Sequence, residues 1–141
     1  MFLKIQYHIL EEQIIMKKII STITAPAAIG PYSQAVQIGD MLYTSGQIPL
    51  NPQTMEIESD DVAAQTKQVM ENIKAVLAAA DTNLESVIKC TIFLADMNDF
   101  AKVNEVYGAY FTQNPPARSC VEVARLPRDV KVEIECIAQV A

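Results

Sequence analysis

The stretch Ser86–Phe111, SVIKCTIFLADMNDFAKVNEVYGAYF, changes its hydrophobic period part-way along. Its first part, Ser86 to Leu94, is a β-branched, apolar run of strand length. From about Met97 to Phe111 the apolar residues recur at helical spacing, with Phe100, Val103, Tyr107, Tyr110 and Phe111 on one face. Strand alternation sends Ile88, Cys90, Ile92 and Leu94 one way and Val87, Thr91 and Phe93 the other. Both faces of this strand are therefore substantially apolar. A helix layer covers one face of a sheet; the other needs a cover of its own, and a further copy of the chain is the simplest.

Outward from this stretch the same two periods assign the rest. Upstream, Asp60 or Asp61 is suited to cap a helix whose apolar stripe is Val62, Thr66, Val69, Met70, Ile73, Val76, Leu77 and Ala80. Before it, Gly46 to Ser59 is a long loop interrupted by Pro49 and Pro52. Ala35 to Ile38 and Met41 to Ser45 flank Gly39-Asp40 as a hairpin. Lys18 to Thr24 is a short strand, and APAAIGPYSQA after it is an irregular loop carrying Tyr32. Downstream, Asn114-Pro115-Pro116 ends the second helix, and two strands follow, Arg118 to Ala124 and Val130 to Val140. The order β-β-β-α-β-α-β-β predicts one α+β domain, a mixed β-sheet with two helices packed on one face.

Composition narrows the functional classes. The chain has 141 residues, enough for one domain with its own core; half are hydrophobic and a fifth charged, which excludes a disordered chain. Net charge is −6, and the eleven basic residues are scattered apart from Lys17 and Lys18, so no basic stripe exists to track phosphates. Three cysteines without CxxC spacing fit a reducing compartment. The single histidine, His8, rules out a His-rich zinc site or a Ser-His-Asp triad in the domain, and no metal is expected. The opening MFLKIQYHILEEQIIMKK is too short and too charged for a transmembrane helix or signal peptide, which makes a cytoplasmic location the expectation. Met16-Lys17-Lys18 reads as a second start, dividing an N-terminal extension of unknown role, 1–15, from a domain over 16–141.

Several residues have chemistry to offer. Arg118, Cys120 and Glu122 share one face of their strand, with Ser119, Val121 and Val123 on the other. Arg118 stands at the strand's start, where a guanidinium suits bidentate capture of a carboxylate; the spacing by itself favours a surface or interface ion pair. Cys120 reads as a small buried hydrophobe or as part of a site. Glu135, on the polar side of the last strand, suits proton transfer in a pocket or plain solvation. Tyr32 and Ser45 offer hydroxyls, and Asn104 sits off the apolar stripe of its helix, where solvation is usual.

Four segments taken together, APAAIGPYSQA, TSGQIPLNP, CTIFLADMNDFAKVNEVY and PPARSCVEVARLPRDVKVEIECIA, resemble the RidA (YjgF/YER057c/UK114) family of reactive intermediate deaminases. The resemblance runs from about Met16 to Ala141. It implies a chorismate-mutase-like fold and a homotrimer with active sites between subunits. It also implies hydrolysis of 2-iminopropanoate and 2-iminobutanoate, formed from enamines such as 2-aminoacrylate, to 2-oxo acids and ammonia, a form of metabolite damage control. Carried over residue by residue, the arginine of PARS is Arg118, the acidic residue of the VEIE ending is Glu135, and the cysteine of RSC is Cys120. The tyrosine of GPYSQ is Tyr32, the serine and glycine of TSGQ are Ser45 and Gly46, and the asparagine after DFAKV is Asn104. The resemblance thus makes Glu135, Arg118 and Cys120 catalytic and Arg118, Tyr32, Ser45, Gly46 and Asn104 substrate-binding.

The chain departs from that pattern in its extension and in a short connection, FTQNPPARS, which bears on the pocket rim and substrate range. No cofactor is expected, because a protonated imine is already electrophilic. Two other readings are a non-catalytic 2-oxo acid or metabolite-binding module of the same fold, and an RNA-cleaving translation inhibitor. Acidity disfavours the latter.

Overall fold

Strand β6, Val132–Gln139, runs through the middle of a six-stranded sheet although it is the last element of the chain. The structure, a computed structural model, describes residues 16–141, so the expected extension 1–15 lies outside the described residues. The other elements are β1 (Lys18–Ile20), β2 (Ala35–Ile38), β3 (Met41–Thr44), α1 (Val62–Ala79), β4 (Val87–Leu94), α2 (Phe100–Tyr110) and β5 (Ala117–Glu122). The sheet order is β1-β2-β3-β6-β4-β5. Only β4 and β5 pair in parallel, because α2 carries the chain back to the end where β4 began; every other pairing is antiparallel. The expected element order and the α+β class both hold.

Helix α1 forms as its sequence dictates. Asp61 caps it, its side chain accepting from the Ala64 N–H at 2.9 Å, and the whole expected stripe from Val62 to Ala80 is buried. That stripe, with Val103 and Tyr107 of α2, joins Cys90, Ile92 and Leu94 of β4 and Val132, Ile134, Cys136 and Ala138 of β6 in one core. Burying a side chain of this kind contributes about 1.5–3 kcal/mol. Three residues before α2, Met97–Asp99, form a 3-10 turn rather than the helix expected there, with Asp96 accepting from the Asn98 N–H.

The expected faces of β4 need one correction. Val87 is buried and Ile88 exposed, the reverse of strict alternation, because the register against β6 slips between Val87 and Lys89. One extra residue in the strand turns Ile88 out of the core. From Cys90 onward alternation is regular.

Among the described residues, no helix packs on the second sheet face. Ile19, Val36, Tyr43, Ile137, Lys89 and Ala117 lie side by side across all six strands, followed by Glu135, Thr91 and Ser119, then Glu133, Phe93 and Val121. Ile19, Tyr43 and Val121 on this face are 50%, 46% and 43% exposed, apolar side chains open to a partner among polar neighbours.

Candidate functional site

Two loops are built by buried amides, and together with β6 they form a cleft of about 780 Å³. Gln34, at the entry to β2, donates to the carbonyls of Thr22, Ala25 and Pro26 at 3.0, 3.3 and 2.8 Å and accepts from the Thr22 N–H at 2.7 Å. This fixes the APAAIG loop that presents Tyr32, whose hydroxyl accepts from the Ile29 N–H at 3.2 Å. Asn72 of α1 donates to the carbonyls of Ile48 and Leu50 at 3.2 and 2.9 Å, pinning the loop after β3. Each amide satisfies backbone groups that no strand or helix pairs. Pro26, Ala27, Ile29, Ile48, Leu50 and Pro127 supply the cleft's apolar wall.

The polar groups of the cleft come from four segments. Tyr32, Ser45, Gly46, Glu133 and Glu135 all line it, with Arg128 at its rim. The Ser45 hydroxyl donates to the Ser33 carbonyl at 2.6 Å, so it braces the Tyr32 loop. Gln47 and Ile134 exchange backbone hydrogen bonds of 2.8 and 3.1 Å, which docks the chain after β3 on β6. That docking brings Gly46 under Glu133: a β-carbon at residue 46 would collide with the Glu133 carboxylate. Glycine here gives the Glu133 side chain its room, and its backbone angles call for no glycine. Burial pushes the Glu133 carboxyl above the usual range, and the neighbouring Glu135 pushes it further.

Arg118 does not enter this cleft. Its Cα pairs with that of Cys90, whose side chain is in the core, so Arg118 and Cys120 lie on the helix side of β5; Glu135 pairs with Thr91 and lies on the opposite face. The shared face expected for Arg118 and Cys120 is thus present. Arg118 Nη1 donates to Asn104 Oδ1 at 2.7 Å, and the guanidinium carbon is 5.4 Å from the Phe100 ring centre and 5.2 Å from that of Tyr107. Burial disfavours ionisation of the Tyr107 hydroxyl, and the Cys90 thiol beside it does so further, so its ring is a neutral π-face for the cation. Asn104, a residue of solvated type by its helical position, is the group that orients Arg118. Among the described residues its other guanidinium donors have no hydrogen-bond partner. Burial pushes the Cys120 thiol up against a weaker opposing pull from Arg118, which disfavours a thiolate nucleophile.

The candidate residues therefore fall into two clusters on opposite sides of the sheet: Tyr32, Ser45, Gly46 and Glu135 in the cleft, and Arg118, Asn104 and Cys120 at the β5 edge. Gln34, Asn72 and Glu133, which build or line the cleft, carried no sequence signal beyond being polar in apolar surroundings.

Residues 22–140 match the model of a protein family described as Endoribonuclease L-PSP. The chain belongs to that family, the RidA family of the sequence resemblance. A RutC family protein of Pyrococcus horikoshii is 58% identical over 123 residues, 87% of this chain and 98% of the relative. An Escherichia coli protein named 2-iminobutanoate/2-iminopropanoate deaminase is 56% identical over 126 residues, again 87% and 98% of the two chains. The crystal structure of E. coli TdcF with bound serine superposes with a TM-score of 0.84 at 53% identity, covering 88% of this chain and 99% of that one.

Proposed function

We propose that the protein is a 2-iminobutanoate/2-iminopropanoate deaminase, acting as a cytoplasmic homotrimer with active sites between subunits. The observation that carries the reading is the division of the candidate residues. An arginine preset by Asn104 and two aromatic rings stands on one side of the sheet, and the Glu135 cleft opens on the other. One copy's Arg118 cannot reach its own cleft through the sheet, but a neighbouring copy's can complete it. The uncovered apolar sheet face supplies a surface for that neighbour. The names of the similar E. coli proteins and the amino acid bound to TdcF agree with this substrate class. Residues 16–141 form the catalytic domain in this reading, with 1–15 an extension to it.

In the proposed reaction Arg118 pairs with the carboxylate of the protonated 2-imino acid and orients its C=N carbon. A water oxygen bonds to that carbon, the C=N π pair moves to nitrogen, and Glu135 takes the water's proton. Glu135 then returns the proton to the amino nitrogen of the carbinolamine. The C–N bond breaks with its pair on nitrogen, ammonia leaves, and Glu135, a carboxylate again, takes the hydroxyl proton and passes it to solvent, which gives the 2-oxo acid. Tyr32, Ser45, Gly46 and Asn104 shape the binding site, and Cys120 contributes its backbone and bulk.

The test is release of ammonia and pyruvate from freshly generated 2-iminopropanoate. Arg118→Ala, losing two charge-assisted hydrogen bonds of about 1.5–3 kcal/mol each, should lower kcat/KM by about two to four orders of magnitude. Binding of a 2-oxo acid without faster hydrolysis would instead identify a metabolite-binding module. The family's description as an endoribonuclease favours RNA cleavage as the second reading. Salt-dependent RNA binding with RNA cleavage, and no imine hydrolysis, would establish it against the −6 net charge.

A further inference from the structure

The core of the sheet holds two cysteines that the proposed reaction does not use. Cys90 of β4 and Cys136 of β6 are free thiols, both are buried, and their Cα atoms are partners in the antiparallel register of the two strands. The hydrogen bonds of Cys136 decide which kind of partners they are. Its N–H donates to Thr44 Oγ1 at 3.0 Å, and Thr44 ends β3, on the side of β6 away from β4. Ile134, two residues earlier, exchanges its backbone bonds with Gln47 rather than with β4. In an antiparallel strand the N–H and C=O of one residue point the same way, so Cys136 turns neither group toward β4. Cys90 and Cys136 are therefore a non-hydrogen-bonded pair, the closer of the two antiparallel pairings, with Cα atoms about 4.5 Å apart.

Both side chains lie on the helix side of the sheet, in one core with Ile92, Ile134 and Ala138. Two cysteines can be bridged when their Cα atoms are about 4.4–6.8 Å apart and their β-carbons point together. This pair meets the distance at its lower bound and the direction by sharing a face of adjacent strands. Cys120 meets neither: it stands opposite Ile92 on β5, two strands away from Cys136. We infer that Cys90 and Cys136 are a dithiol modification site, which hydrogen peroxide closes into a disulfide that staples β4 to β6. The chemistry of the pair is independent of the reaction in the cleft.

Cys90 reacts first. Burial pushes the Cys136 thiol up to about 12 and Cys90 beside it adds to the rise; burial raises Cys90 too, but there the Tyr107 hydroxyl and the Arg118 guanidinium pull the other way. The Cys90 sulfur attacks one peroxide oxygen, the O–O bond breaks, and the departing hydroxide leaves as water with the thiol's proton, so that Cys90 becomes a sulfenic acid. The Cys136 sulfur then attacks the Cys90 sulfur, the S–O bond breaks, and hydroxide leaves as a second water with the Cys136 proton. The two thiols lose two electrons and the peroxide gains them. Because burial keeps both thiols protonated at neutral pH, the staple forms slowly. Once formed, it ties down β6, the strand whose other face presents Glu133 and Glu135 to the cleft.

The experiment exposes the folded, reduced, full-length protein to excess hydrogen peroxide for hours in mildly alkaline buffer, alkylates the remaining thiols in denaturant, and digests with trypsin without reductant. Trypsin cuts after Lys89, Lys102 and Lys131, so the staple appears as peptide 90–102 joined to peptide 132–141. The joined species should be about two mass units lighter than the two peptides together, with or without an oxygen added at Met97, and dithiothreitol should separate it. The oxidised protein should melt about 5–15 °C above the reduced one, because the bridge closes a long loop, and dithiothreitol should reverse the shift. Cys136→Ala should give no link and no rise in melting temperature, while dimedone traps the sulfenic acid on Cys90. The wild-type peptide map is decisive even if that variant fails to fold. Both thiols still open to alkylation after the treatment, a link to Cys120 instead, or a 90–136 link that forms only after denaturation overturns the inference. A linked protein that melts no higher than the reduced one overturns the stapling.

Discussion

Asn104→Ala separates a substrate-gripping Arg118 from an arginine that merely decorates the surface. Asn104 Oδ1 holds Arg118 Nη1 at 2.7 Å, and nothing else among the described hydrogen bonds fixes that guanidinium. A hydrogen bond to a charged group contributes about 1.5–3 kcal/mol when sheltered, and Arg118 is exposed, so about 1–1.5 kcal/mol is the appropriate figure. The Phe100 and Tyr107 rings, at 5.4 and 5.2 Å, still attract the cation by about 0.5–1 kcal/mol each, but a ring face does not set which N–H points where. The substitution should therefore lower kcat/KM for 2-iminopropanoate by about 5- to 15-fold, far less than Arg118→Ala. Thermal stability should not fall, because position 104 is solvent-exposed and alanine is the better helix former by up to about 0.7 kcal/mol. The assay is steady-state release of pyruvate beside a melting curve. Activity within twofold of wild type would refute the orienting role; a loss as deep as that of Arg118→Ala would mean that Asn104 binds substrate itself.

Three further outcomes follow from the same geometry. Gly46→Ala drives a β-carbon into the Glu133 carboxylate, so that side chain must swing out of its place beside residue 46, and activity should drop while the melting temperature changes little; wild-type activity would show that the placement of the Glu133 carboxylate is not needed. Cys120→Ala should keep activity within about tenfold, since burial disfavours the thiolate a nucleophile would need; inactivation as complete as that by Arg118→Ala would return Cys120 to the chemistry. Sedimentation at micromolar concentration should give a single species of three chains, and a monodisperse monomer with full activity would contradict the split site.

Much of the fold was legible because its two periods are clean. Val132, Ile134, Cys136 and Ala138 alternate with Glu133, Glu135 and Ile137 as a half-covered strand must, and the α1 stripe from Val62 to Ala80 is buried without exception. What alternation does not encode is the partner. Nothing within β6 says that it inserts between β3 and β4, and the slip that turns Ile88 outward is a property of the β4–β6 pair, absent from either sequence taken singly. The 3-10 turn at Met97–Asp99 was hidden for a related reason: its cap, Asp96, is one of several residues in that segment able to cap a helix start.

The site was legible in its residue types and illegible in its grouping. Period-two reasoning correctly put Arg118 and Cys120 on one face, yet the face that mattered for Glu135 was the other one, and only strand register relates the two. Asn104 has the helical position of a solvated residue because a helical wheel knows nothing of the strand that follows; its role appears once β5 returns parallel to β4 and sets Arg118 against it. Glu133 was passed over beside Glu135 because both alternate as solvated strand residues do. What distinguishes it is Gly46, 87 positions earlier, where a missing side chain becomes meaningful only after Gln47 docks on Ile134. Single-chain geometry leaves Arg118 and the Glu135 cleft on opposite sides of the sheet, and in the proposed reaction the two act on one substrate only if another copy of the chain brings the arginine round.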